Sequence, residues 1–332
     1  MKKKLTLALS LLLSTALVGC GALALENTEE NSPAQEAVSE FVDKETEQMH
    51  LNVGLISSIS ALPLLIAQEQ GYFKEQGIDV DITYFKAAKD RDAALQAGEL
   101  EGVLCDQIAI STYQNAGLDM QITGKTDGEF VLVAGEQSGV LDVASLEGKK
   151  IGISENTVME FTLDKLLEKA GLTADSVEKV SIPAMPTRLE MLNSGEIDAA
   201  LMPSPYTDAA IANGAVALET VDSDNDIYIS VTAFNQETIN KKEAAIVAYY
   251  KAYNAAVDYI NSHDISEYEE IIISTIGYPE TMRGNIPAPV FHENTLPSNE
   301  TVAMAFEWCK EKGLLEIELS PEDVLNTVGI SK

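Results

Sequence analysis

Three cysteines, three histidines and one tryptophan are spread over 332 residues, and only 22 side chains are Lys or Arg. Each scarcity closes off a class of function. Nucleic acid is bound through a basic footprint that displaces counterions. With 53 Asp plus Glu the formal net charge is -31, the opposite sign, so no nucleic-acid partner is expected. There is no CxxC pair, and Cys105 and Cys309 have no third ligand nearby, so neither suggests zinc. Both read as free, partly buried thiols, although sequence leaves open whether they pair. His50, His263 and His292 lie far apart in no metal or triad pattern, and no glycine-rich phosphate loop is present. No catalytic residue, metal or cofactor is therefore expected. Past the N-terminus, no run is apolar and long enough to cross a bilayer.

What is present is a composition that builds a core: 45% hydrophobic, 23% charged and 6% aromatic. The length is about twice that of a common domain, which makes two domains the first expectation. Lys2, Lys3 and Lys4 precede an apolar run from Leu5 to Val18, too short to span a bilayer and shaped like an export signal. The run ends in Leu17-Val18-Gly19-Cys20, which resembles the lipobox of bacterial lipoproteins. Residues 1–19 are thus expected to be a signal peptide, with Cys20 the lipidated residue, carrying palmitate-type acyl chains. Residues 20–49, acidic and weakly apolar, read as a flexible tether. The expected location is the outer face of the bacterial cytoplasmic membrane, lipid-anchored, or the periplasm.

An internal repeat organises the rest. Leu95-Gln96-Ala97-Gly98-Glu99-Leu100-Glu101 aligns with Leu192-Asn193-Ser194-Gly195-Glu196-Ile197-Asp198, at a spacing of 97 residues that also carries Arg91 onto Arg188 and Leu104 onto Leu201. Val53-Gly54-Leu55 similarly matches Ile151-Gly152-Ile153. Two βαβαβ units explain such an ordered series. In the first, strands are expected at 51–56, around 78–82 and at 102–105, with helices from Ser60 and over 88–97. In the second, strands fall at 150–154, 178–182 and 198–202, with a helix at 186–194. Thr157 and Glu160 are spaced as a capping box, and Ser204-Pro205 as an N-cap with a first-turn proline. The stretches 130–134 and 227–233 read as strands crossing between domains. Helices follow at 240–262, 264–275 and 298–312, and Ser320-Pro321 opens a last one. The expected lobes are 50–133 with 232–332 for the first, discontinuous one and 134–231 for the second.

Open α/β sheets bind ligands beyond the carboxyl ends of their strands. Those ends supply the candidates: Ser57, Ser58, Ser60, Tyr84, Phe85, Cys105, Asp106 and Gln107 from one unit. The other gives Glu155, Asn156, Thr157, Met185, Arg188, Met202, Pro203, Ser204 and Tyr206. Helix N-termini at these rims offer unpaired N–H groups to an anion or a carbonyl. Plainer roles stand beside each. Asp106 serves equally as a helix cap, and Arg188 as one half of a solvent-facing pair with Glu190 or another acid. Tyr84, Phe85 and Tyr206 pack as readily as they stack on a ring, and Met185 and Met202 fill gaps.

The segments Ser60-Ala61-Leu62-Pro63-Leu64-Leu65-Ile66-Ala67, Gly71-Tyr72-Phe73 and Gly77-Ile78-Asp79-Val80 resemble the opening of nitrate/sulfonate/taurine-type solute-binding proteins of ABC importers, which include binders of thiamine-precursor pyrimidines. Ala94 to Leu100, Leu146 to Gly152 and Gly195 to Asp198 fit the same pattern, and the similarity covers roughly 50–235. The resemblance implies an α/β, periplasmic-binding-protein-like type II fold, with two βαβαβ-based lobes, a central cleft and two crossing strands. It implies a monomeric receptor that closes over a small-molecule solute and hands it to ABC permease subunits. It also maps binding positions onto Ser57–Ser60, Cys105–Gln107, Glu155–Thr157 and Met202–Tyr206. Cys105 and Asp106 depart from the small hydroxyl residues of many relatives. An acid there disfavours nitrate or a simple sulfonate and suits an amine or a ring N–H, so a small heteroaromatic or amine-bearing guest is expected. The alternatives are an enzyme on the same scaffold, acting on a pyrimidine or small aromatic acid, and a surface sensor that has lost transport.

Overall fold

The computed structural model describes residues 49–222, 227 and 230–330. The expected signal segment, Cys20 and the tether up to residue 48 lie outside the described residues.

Strict alternation of apolar side chains makes β1 (His50–Ile56), with Leu51, Val53 and Leu55 fully buried. A 3₁₀ turn leads into α1 (Leu62–Glu69), where Pro63 sits in the first turn and no N–H is missed. Then come β2 (Asp79–Phe85), α2 (Ala88–Gln96), β3 (Gly102–Asp106), α3 (Gln107–Asn115) and β4 (Met120–Lys125). The second half runs β5 (Glu129–Ala134), β6 (Lys150–Ile153), α4 (Val158–Lys169), β7 (Glu178–Ser181), α5 (Met185–Ser194), β8 (Ala199–Met202), α6 (Tyr206–Ala212) and β9 (Val216–Asp222). β10 (Ser230–Asn235) returns the chain, and α7 (Gln236–Ser262) and α8 (Asn299–Glu311) follow.

The strands form two five-stranded sheets, ordered β2-β1-β3-β10-β4 and β7-β6-β8-β5-β9. In each, the first three strands are parallel, and the fourth is an antiparallel strand arriving from the other half of the chain. One plan is built twice, and two crossings join the copies: residues 126–128, and the stretch between Asp222 and Ser230. β4 and β9, which flank the incoming strands, were not among the expected strands.

The repeat has a structural cause. Arg91 and Arg188 are buried in their lobes, and each donates from Nη1 to the main-chain carbonyl thirteen residues on, Leu104 at 2.8 Å and Leu201 at 2.7 Å. A Cβ on Gly54 would sit 2.5 Å from Leu100 and against the stem of Arg91; on Gly152 it would sit 2.6 Å from Ile197 and against the stem of Arg188. Glycine lets the arginine stem lie flat on the first strand of each sheet. The copies differ in charge balance. Arg91 is paired with Asp92 at 2.7 Å, whereas among the described residues Arg188 meets the Ile182 and Leu201 carbonyls and Ser154 Oγ and no acid.

One apolar cluster packs α1 and α7 onto the first sheet, with Tyr249 and Tyr250 edge-to-face at 5.1 Å. A larger one runs continuously from Val103 and Ile108 through Phe306 and Trp308 to Phe161 and Leu201, so it belongs to both lobes. Val302, Phe306 and Trp308 are buried from α8 alone. At about 1.5–3 kcal/mol per large side chain, they outweigh exposed pairs such as Lys310–Glu318, worth at most about 1 kcal/mol. Apolar burial, not ion pairing, seats this helix.

Three expected helices differ in detail. The one expected from residue 240 begins at Gln236, capped by Asn235 accepting from Thr238 N at 2.7 Å, and is non-helical at Lys242. Lys242 is drawn aside to Glu101 and to the His50 carbonyl. Over 264–275 the chain forms a 3₁₀ turn, a single α turn and a π turn instead. Four isoleucines between 271 and 276 supply the reason, since β-branched residues lose rotamer freedom in a helix. Ser320 caps only a 3₁₀ turn.

Candidate functional site

Between the sheets lies a cavity of about 510 Å³, within the range of small-molecule sites. Its floor is the first crossing, Asp127, Gly128 and Glu129; the chain that made two sheets had to put these residues between them. Asp222 lies where the second crossing begins, and β5 and β9 are in register so that Glu129 and Asp222 face each other directly. Ser204 and Asp208 come from the second lobe and Ile59 from the first. The remaining wall is Tyr278 and the segment 287–292, contributed by the C-terminal third.

Ser204 is the centre of the polar side. Its Oγ donates to Glu129 Oε1 at 3.2 Å, and the Asp208 carboxylate and Tyr278 phenol border the same wall. One Asp208 oxygen is shut off from solvent and has no hydrogen-bond partner among the described residues. Burial pushes the Glu129 carboxyl up; the Ser204 bond opposes this, and the charges of Asp208 and Asp222 push it further up. Burial likewise raises Asp208 and the Tyr278 phenol. Like charges opposed across a sheet are destabilising, so three carboxylates on one wall form a site short of positive charge. Among the described residues lining the cavity none is Lys or Arg. The facing wall is apolar: Ile59, Pro287, Pro289, Val290 and Phe291. Asp127 holds that segment in place, accepting from His292 N at 2.6 Å and bonding its ring Nδ1 at 3.2 Å. Among the described residues, no three His, Cys, Asp or Glu side chains are grouped to hold a metal ion.

Of the residues named from the sequence, Ser204 lines this cavity. Ser204 is not a helix cap: the Ser204–Pro205 peptide is cis and Pro205 precedes α6. Ser57 and Ser58 are half-buried, while the Ser60 carbonyl accepts from Thr126 Oγ1 at 2.9 Å, tying the first rim to the crossing. Tyr84 is exposed, and its hydroxyl donates to Gln68 of its own lobe. Phe85 and Met185 pack on the large apolar cluster, and Met202 is fully buried. Cys105 is buried, with its thiol pushed far up by desolvation. Asp106 takes the capping role, accepting from Ala109 N at 2.9 Å. Gln107 is fully buried, and neither end of its amide has a partner among the described residues. Pro203 and Tyr206 are half-buried, with the phenol raised by burial. Glu155 and Asn156 are exposed at the rim, and Thr157 caps α4 through Met159 N.

Arg188 requires a correction. It pairs with neither solvent-side acid nor cleft: the side chain is 0% exposed and spends its donors on carbonyls and Ser154. Burial lowers its pKa to about 10.

The sequence reading missed Asp127, Glu129, Asp208, Asp222 and Tyr278. The Asp127-Gly128-Glu129 triplet just before the stretch 130–134, itself expected to cross between domains, was the available signal, since residues at a crossing must border any cleft between the sheets.

The sequence model of the NMT1/THI5-like family matches residues 58–264. A protein of Brachyspira hyodysenteriae described as an ABC transporter periplasmic binding protein is 22% identical over 240 residues, 67% of this chain and 68% of the relative. A Bacillus subtilis protein described as an aliphatic sulfonates-binding protein is 25% identical over 229 residues, 64% of this chain and 66% of that one. In three dimensions the chain is similar to the alkanesulfonate-binding protein SsuA from Xanthomonas axonopodis pv. citri, bound to MOPS: TM-score 0.68, 16% identity, covering 84% of this chain and 98% of that one.

Proposed function

Because the chain belongs to the NMT1/THI5-like family, we propose that it is the extracytoplasmic solute-binding receptor of an ABC importer and not an enzyme. Its two lobes hold a small organic guest in the cavity between the sheets, and permease subunits receive it. The guest carries a positive charge or an N–H-rich ring, which distinguishes it from the sulfonates named for the relatives. The observation that carries this reading is the gathering of Glu129, Asp208 and Asp222 on one wall, with no lysine or arginine among the described residues that line the cavity. A sulfonate needs donors there; an ammonium relieves the crowding of carboxylates around Glu129 and Asp208. The apolar wall accommodates the hydrocarbon or ring of the same molecule. The receptor acts as a monomer, held at the outer face of the membrane by acyl chains on Cys20, the lipobox cysteine.

A thermal-shift and calorimetry panel tests the ligand class: choline, putrescine and 4-aminopyrimidine against ethanesulfonate and nitrate. Saturable binding is expected among the first three and not the last two. Binding confined to the anions would overturn the charge assignment. Radiolabel from palmitate incorporated into the wild-type chain and lost in Cys20→Ala would support the anchor, and equal incorporation would refute it.

A further inference from the structure

A second polar cluster lies where α8 meets α4, outside the cavity, and it spans the two lobes. Glu160, on the first turn of α4, is 2% exposed. Its Oε2 accepts from the backbone N–H of Asn156 at 2.8 Å, and its Oε1 accepts from Lys179 at 2.9 Å and from Lys312 at 2.6 Å. Lys312 follows α8, which packs on α3 of the first lobe, so the last bond crosses between lobes. One turn along α4, Asp164 repeats the arrangement. It pairs with Lys179 at 2.5 Å and accepts from the indole N–H of Trp308 at 3.0 Å. Phe161 meets the Trp308 ring edge-on at 5.8 Å.

The capping-box spacing of Thr157 and Glu160 is thus put to a different use. In a capping box the carboxylate returns to the N-cap N–H; here it reaches one residue further, to Asn156. Asn156 is the one non-glycine residue with positive φ among the described residues, at 58°. That left-handed conformation is tolerated by asparagine but not intrinsically favoured, so the bond from Glu160 helps to keep the rim loop in its shape. The same carboxylate is therefore shared by a loop at the cleft rim and a lysine of the opposite lobe.

We propose that Glu160 is a positioning residue that couples the Glu155–Asn156–Thr157 loop at the cleft rim to the inter-lobe contact made by Trp308 and Lys312. Any rotation of the lobes about the crossings must strain or release the Lys312 bond, and the carboxylate transmits that change to the Asn156 amide. The coupling is independent of what the cavity binds.

Hydrogen exchange of the full chain, read by mass spectrometry on peptides covering 155–159, tests this without a ligand. Lys312→Met removes the ammonium, does not touch the loop, and leaves Lys179 in place. It should raise exchange in the loop about tenfold, the effect of losing one charge-assisted bond. Lys312→Arg should restore protection. Trp308→Phe, which removes the N–H to Asp164 together with one ring of a buried side chain, should also raise exchange in the same peptides. Lys310→Met, on the same helix but paired with exposed Glu318, should leave them unchanged. If Lys312→Met alters only α8, or if Lys310→Met raises loop exchange equally, Glu160 is a local brace and the coupling is refuted.

Discussion

Replacing Glu129 with glutamine should make the protein more stable and a weaker binder at the same time. The amide keeps an oxygen for the Ser204 hydroxyl, now 3.2 Å from Glu129 Oε1, so the local bond survives and only the charge goes. Glu129 stands directly across the sheet from Asp222 and feels Asp208 as well. Relieving one such opposed pair gains about 0.2–1 kcal/mol. For a chain of this size that moves the melting temperature up by about 1–3 °C. The same charge, if it holds a guest ammonium, contributes about 1.5–3 kcal/mol as a charged hydrogen bond, so the amine probe that binds should weaken about ten- to hundredfold. Differential scanning calorimetry and titration calorimetry on one preparation read both quantities. A lower melting temperature would refute the repulsion, and an unchanged amine affinity would refute the site. A variant that merely damaged the fold would lose both together.

Two further outcomes follow from burial and charge. Glu129 and Asp208 have folded-state values above their unfolded ones, so the folded chain holds protons that the unfolded chain releases. Their contribution to stability is full below about pH 4 and is lost as pH rises through the raised values. Melting temperature measured from pH 4 to 7 should therefore decline less in a Glu129→Gln/Asp208→Asn double variant than in the wild type, and equal slopes would refute the raised values. Glu160 has the opposite sign: burial raises it, but the Asn156, Lys312 and Lys179 bonds leave it lowered overall, so its contribution disappears only as pH falls. The paired arginines should also differ under urea. Arg91→Met leaves Asp92 and Tyr113 without their cation, whereas Arg188→Met strands only carbonyls and a hydroxyl and removes a desolvated charge. The first should cost about 1 kcal/mol or more beyond the second, and equal losses would show that the carboxylate is immaterial.

The scaffold was readable because its signals are local. Leu51, Val53 and Leu55 announce a strand by alternation, and the recurrence of Gly54, Arg91 and Leu100 as Gly152, Arg188 and Ile197 announces a duplicated lobe. The meaning of that recurrence was hidden, since arginine is ordinarily an exposed residue and its carbonyl partners lie thirteen positions away. The cavity acids were hidden for a related reason. Glu129 and Asp222 become neighbours only through the register of β5 and β9, and Asp208 sits on a seven-residue helix too short to show a face. Tyr278 and residues 287–292 lie in a stretch with no periodicity at all. Asp106 shows the converse: a residue type that suits two roles is settled only by where its oxygen ends up, on Ala109 N.

The apolar cluster shared by both sheets limits how this molecule can move. Val103 and Leu201 belong to one oily body, and exposing about 200 Å² of it would cost roughly 5 kcal/mol, more than the few kcal/mol that separate working conformers. Opening must therefore be a swing about that greased side. Heat should likewise melt both halves together.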